Sequence, residues 1–131
     1  VKKMAHIDNL VIFSVFLLLS FGCFLVAALG VRFLKEKSWW KVLHHGTVIG
    51  GFILLFFVYF FPLVQASSEN IIIVTFLLVS LVLSILSLII GPFNLKYREE
   101  YEIFQKIHLI IGYTTVAFVF LTWLIGIMMS L

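Results

Sequence analysis

Four apolar stretches, at about 10–34, 42–64, 71–90 and 103–129, fill most of the chain, and short polar runs separate them. Each reaches the ~20 residues that a helix needs to cross ~30 Å of hydrocarbon. No ten-residue alternation of the kind used by membrane barrels is present, and backbone groups in lipid must be satisfied within their own segment. The pattern predicts an all-α membrane protein: one domain over 1–131, an up-down-up-down bundle of four transmembrane helices at about 9–34, 40–64, 70–91 and 100–130.

The breaks have plain chemistry. Lys35, Glu36, Lys37 and Ser38 close helix 1, and Trp39 and Trp40 anchor helix 2 in the interface, where tryptophan is enriched. Pro62 ends or kinks helix 2, residues 65–70 form a polar turn, and Gly91-Pro92 is expected to stop helix 3. The longest polar segment, 94–106, mixes charges with Tyr97 and Tyr101, and its second half belongs to helix 4.

Composition agrees. Only 11% of the residues are charged, against ~25% in a soluble domain, so water is not the main solvent. The net charge of +3 reads as topology and makes no case for nucleic acid. Arg32, Lys35, Lys37, Lys41, Lys96, Arg98 and Lys106 flank loops 1–2 and 3–4, and only Lys2 and Lys3 lie on the other side. The positive-inside rule therefore places both termini outside a cell membrane crossed by all four helices. Cys23 is alone in mid-helix, which leaves no disulfide, zinc spacing or c-type haem attachment. Helix 1 is too long for a signal peptide and lacks a small-residue cleavage site.

Ionisable side chains within a span are functional candidates by default. His6 precedes the first span, beside Lys2, Lys3 and Asp8, and reads as a headgroup residue. His44 and His108 lie a few residues inside helices 2 and 4, at matched depth on one face of the membrane. In the expected topology these helices are diagonal, roughly 11–14 Å apart when neighbours pack at ~8–10 Å. That gap suits two imidazoles with a metalloporphyrin iron between them. Helical spacing from His108 gives Gly112, Thr115, Val119, Thr122 and Gly126; from His44 it gives Thr47, Val48, Gly51 and Leu55. Small residues near a ligand leave room for a flat cofactor, though they also serve close helix packing.

Other chemistries fare worse. Zinc or non-haem iron wants three or four ligands, and the spans offer no carboxylate and no second cysteine. Ser14, Ser20, Ser80, Ser84 and Ser87 have no nearby base, and serines in such helices usually bond back to their own carbonyls.

The stretch Lys41-Val42-Leu43-His44-His45-Gly46 resembles the Lys-x-x-His-x-Gly opening of the second core helix in cytochrome b-561 proteins. Lys96, Tyr97 and Arg98, followed by His108 and Gly112-Tyr113, are similar to the start of that family's fourth core helix, and Arg32 after Gly30 fits the end of its first. The resemblance covers nearly the whole chain as a four-helix core. It implies haem b with His44 and His108 as axial ligands. The family's second haem pair has no counterpart: helix 3 lacks histidine, and Ile12 stands where the helix 1 ligand would be.

The expected function is thus a membrane cytochrome that passes electrons through one bis-histidine haem b near the cytoplasmic face. Thr47, Gly51, Gly112 and Thr115 would pack against the haem, and Lys41, Arg98 and Lys106 would meet its propionates or an anionic donor. The register selects His44 over His45 as ligand, and His45 is the second choice. The resemblance implies an oxidoreductase role with ascorbate or a quinol as possible donor. Partners would be lipid, a small-molecule donor or quinone, and other subunits or a second copy in a homodimer. Two other readings are a haem-free structural or assembly subunit and the quinone-reducing membrane anchor of a dehydrogenase.

Overall fold

The computed structural model describes residues 10–34, 39–60, 71–97 and 102–130. They form four helices: α1 (Leu10–Leu34), α2 (Trp40–Phe60), α3 (Ile71–Tyr97) and α4 (Glu102–Ser130). All four are long and apolar enough to span a membrane, which makes the chain a multi-pass membrane protein. Intrinsic propensity does not explain helices such as α3, which opens on Ile71-Ile72-Ile73-Val74-Thr75. β-Branched residues are mediocre helix formers in water; in lipid the need to satisfy every backbone amide locally decides the matter.

One boundary differs from the sequence reading. α3 does not stop at Gly91-Pro92 but runs on to Tyr97. Proline removes a single N–H from the ladder, a local loss that membrane helices tolerate, and the polar residues beyond it continue the same helix. The expected extension of helix 2 to 64, Pro62, the 65–70 turn, the Lys35–Ser38 break, His6, Arg98 and both termini lie outside the described residues.

Chain direction follows from side-chain contacts. On α1 and α2, Ser20 meets Gly51 and Ala27 meets His44, so residue numbers rise on one helix as they fall on the other. On α3 and α4, Phe76 stacks on Phe118 and Gly91 faces His108, again antiparallel. α1 packs on α2 and α4, and α3 packs on α4 and α2, the α2–α3 contact being the loosest. The diagonal pairs make no close backbone approach, which leaves α2 opposite α4 across the bundle axis.

The interior changes character along that axis. Towards the end where α1 begins and α2 ends it is filled by Phe13, Leu17, Leu55, Val58, Ile73 and Leu77, none more than 1% exposed. Towards the other end small and polar groups replace them: Ala27, Ser84, Ser87, Gly91 and Thr115, all buried. Ser80, Ser84, Thr115 and Thr122 donate to carbonyls of their own helices at 2.6–2.8 Å. Ser20 departs from that pattern and donates across to the Gly51 carbonyl at 2.9 Å. Interhelical hydrogen bonds of this kind contribute ~0.6 kcal/mol in membrane bundles.

Candidate functional site

The small-residue end of the bundle holds three of the four histidines. His44 and His108, carried by diagonal helices, come together with ring centres 5.7 Å apart and planes nearly perpendicular at 86°. Each sits near the first turns of its helix, just inside Val42 and Ile103, where the membrane spans begin. Both rings are partly buried.

Their neighbours come from all four helices. His44 Nδ1 lies 3.2 Å from the Ala27 carbonyl of α1. A carbonyl only accepts, so Nδ1 carries the proton and Nε2 holds the lone pair. Histidines that bind metals are commonly oriented in this way, through a backbone carbonyl on the other nitrogen. His108 turns its Nε2 towards Gly91 of α3, at 3.9 Å from where a Cβ would stand. Between the two rings and α1 lies a cavity of about 30 Å³, lined among others by Phe24, Ala27, Ser87, Gly112 and Thr115.

The remaining residues expected at the site divide. Gly112 and Thr115 line the cavity, and a Cβ on Gly112 would meet nothing within 4 Å. Thr47 is turned onto its own helix, donating to the His44 carbonyl at 2.9 Å. Gly51 lies outside the cavity: a Cβ there would come within 2.8 Å of the Phe24 ring, so this glycine exists for the α1–α2 contact. His45 stands beside His44, ring centres 5.9 Å apart, but does not line the cavity. Lys106 is exposed at the head of α4; Lys41 lies in the first turn of α2, and Arg98 falls outside the described residues.

Phe24, Ala27 and Ala28 of α1, together with Ser87 and Gly91 of α3, were not anticipated as parts of this site. The i, i+3 pair Ser84/Ser87 and the Ala27-Ala28 step were the available signals. Nothing in the sequence marks Phe24.

Whether these residues fit a haem has two answers. Imidazole–metal bonds of ~2 Å bring the ring centres of two opposed ligands to roughly 6 Å, and the observed 5.7 Å is close to that. The donor types and the fixed tautomer of His44 also fit. The volume does not: cofactor pockets run to ~300–1,000 Å³, and about 30 Å³ holds one water. Accommodating a macrocycle requires the helices around the cavity to part. Among the described residues no group of three or more His, Cys, Asp or Glu side chains is placed to hold a bare metal ion.

Fold and site together define a class: an all-α, multi-pass membrane protein with a histidine pair inside one end of its bundle. Comparison with family models, with curated proteins and with solved structures finds no match for the chain.

Proposed function

We propose that this chain is a membrane b-type cytochrome that transfers electrons through one haem ligated by His44 and His108. The supporting observation is the meeting of two imidazoles from diagonal helices, 5.7 Å apart, with His44 held through Nδ1 by the Ala27 carbonyl. The resemblance of the two histidine motifs to cytochrome b-561 proteins points the same way. A bound haem would supply reversible one-electron transfer, its potential set by burial and by hydrogen bonds to its ligands.

The chain's own residues would do the rest. Ala27 fixes the tautomer and orientation of His44. Gly112, Ala28 and Gly91 keep bulk away from the rings, and Phe24 closes the site towards the bundle centre. Lys41 and Lys106, in the first turns of α2 and α4, would hold acidic groups of the cofactor or attract an anionic donor such as ascorbate or a quinol headgroup, a role the sequence also offers to Arg98. Orientation in the cell membrane follows from the lysine and arginine bias, with both termini outside and the histidines near the cytoplasm. So small a unit suits a subunit of a larger electron-transfer complex.

One observation favours a second reading. The water-sized cavity belongs equally to a haem-free structural or assembly subunit in which His44 contacts His108 and bonds to the Ala27 carbonyl. Haem content separates the two. A pyridine haemochrome assay with protein quantitation should give one b haem per chain, since among the described residues one histidine pair meets across the bundle. Two haems would require a ligand beyond this pair, and none would leave the structural reading standing.

A further inference from the structure

The haem reading requires the helices around His44 and His108 to part. In the closed bundle, volume and donor set specify a smaller occupant, independently of any haem. The cavity of about 30 Å³ has room for one water-sized body. Its polar lining comes from His44, His108, Ser87 and Thr115, and the Thr115 hydroxyl is already given to the Ile111 carbonyl at 2.7 Å. No carboxylate or thiol lines it. Cys23 packs instead by Gly50, its sulfur 3.9 Å from where a Cβ would stand. Gly50 lies six residues beyond His44, roughly 9 Å further along α2 at ~1.5 Å per residue.

These features select among metal ions. Zinc or copper(II) wants four or more donors, so two imidazoles would have to be joined by ~2 waters. The cavity has no room for that set. Nor does its lining offer an anion to offset a double charge, whose burial costs about four times that of a single one because the Born energy grows with the square of the charge. A monovalent d10 ion such as Cu(I) differs on both counts. Two neutral nitrogens in line satisfy it, and imidazole suits copper.

The geometry agrees. Nitrogens bound at ~2 Å put the centres of two opposed rings roughly 6 Å apart, and here they are 5.7 Å apart. Linear coordination sets no angle between the ring planes, so their 86° is no obstacle. The bond from His44 Nδ1 to the Ala27 carbonyl already assigns the ligand role to Nε2. Any remaining alignment falls to rotation of the His108 ring about its Cβ–Cγ bond, opposite Gly91, which has no side chain to hinder it.

We propose that the haem-free chain binds one Cu(I) ion between His44 and His108, two-coordinate and shielded from water. Haem and the ion compete for the same two nitrogens, so a chain loaded with one excludes the other.

The test uses the full chain in detergent, with haem content measured first. The haem-free protein is titrated anaerobically with Cu(I) against the chelator bicinchoninate. One ion per chain is expected, and X-ray absorption should show two nitrogen scatterers at ~2 Å and no sulfur. His44→Ala and His108→Ala should each weaken binding by more than ~100-fold, the upper cost of losing a mere outer-shell partner. Cys23→Ala and His45→Ala should bind as the unaltered chain does. Circular dichroism of each variant separates loss of the ion from loss of the fold, and X-ray absorption on the unaltered chain decides the coordination without any variant. No bound ion, a sulfur scatterer, three or more ligand atoms, or undiminished binding by folded His108→Ala would each overturn the proposal. A chain that takes up haem yet refuses Cu(I) when haem-free overturns it alone. One that binds Cu(I) and never haem overturns the cytochrome reading alone.

Discussion

His108→Ala is expected to abolish the low-spin haem spectrum, and His44→Ala to do the same. Each imidazole is half of a pair that meets across the bundle at 5.7 Å, and no other described histidine lines the cavity between them. Removing one leaves the iron a single protein ligand, so the purified variant should be high-spin or haem-free. The controls decide between ligand and bystander. His6→Ala should leave the spectrum unchanged, because His6 precedes the first span. His45→Ala should at most shift the midpoint potential: its ring neighbours His44 at 5.9 Å but does not line the cavity. Optical spectra and haem-to-protein ratios of the four variants check this directly. Loss of haem in His45→Ala with retention in His44→Ala would exchange the two roles and sink the register argument.

Much of the arrangement could be read from the chain, and the reason is solvent. A helix in lipid has no choice but to satisfy its own backbone, so four apolar runs translate into four helices with little dependence on propensity. The inward stripe was legible too: Thr115, Val119, Thr122 and Gly126 on α4, and Val48, Gly51 and Leu55 on α2, are all buried. The pairing of His44 with His108 followed from matched depth and from the diagonal relation of their helices.

What was not legible depends on side chains that carry no chemical signature. Lipid is as apolar as the interior, so Phe24 of α1 looks like any other phenylalanine, although it fills the space beside Gly51. The same ambiguity surrounds Gly51, which packs against Phe24, because a glycine one turn or two from a ligand reads equally as room for a cofactor or as room for a neighbouring helix. Pro92 misled for a different reason: rules learned in water overstate its power to end a helix in a membrane.

The two glycines near the site should therefore respond oppositely to added bulk. Gly51→Ala places a Cβ 2.8 Å from the Phe24 ring, which is 4% exposed. Overpacking of this kind costs ~1–3 kcal/mol. The haem-free variant should unfold at lower temperature in detergent, and a second change, Phe24→Leu, should restore much of the loss by clearing the ring. A Cβ at Gly112 meets no such neighbour, and replacing a helical glycine contributes up to ~1 kcal/mol in backbone propensity. The leucine side chain of Gly112→Leu would continue into the cavity beside His108, so the variant should still fold while its haem content falls tenfold or more. Thermal unfolding and the haem-to-protein ratio, measured on both single variants, read the two effects separately. A Gly112→Leu protein that keeps full haem would place the cofactor elsewhere than this cavity. An unperturbed Gly51→Ala would mean that Phe24 yields freely and that the α1–α2 contact does not depend on the missing Cβ.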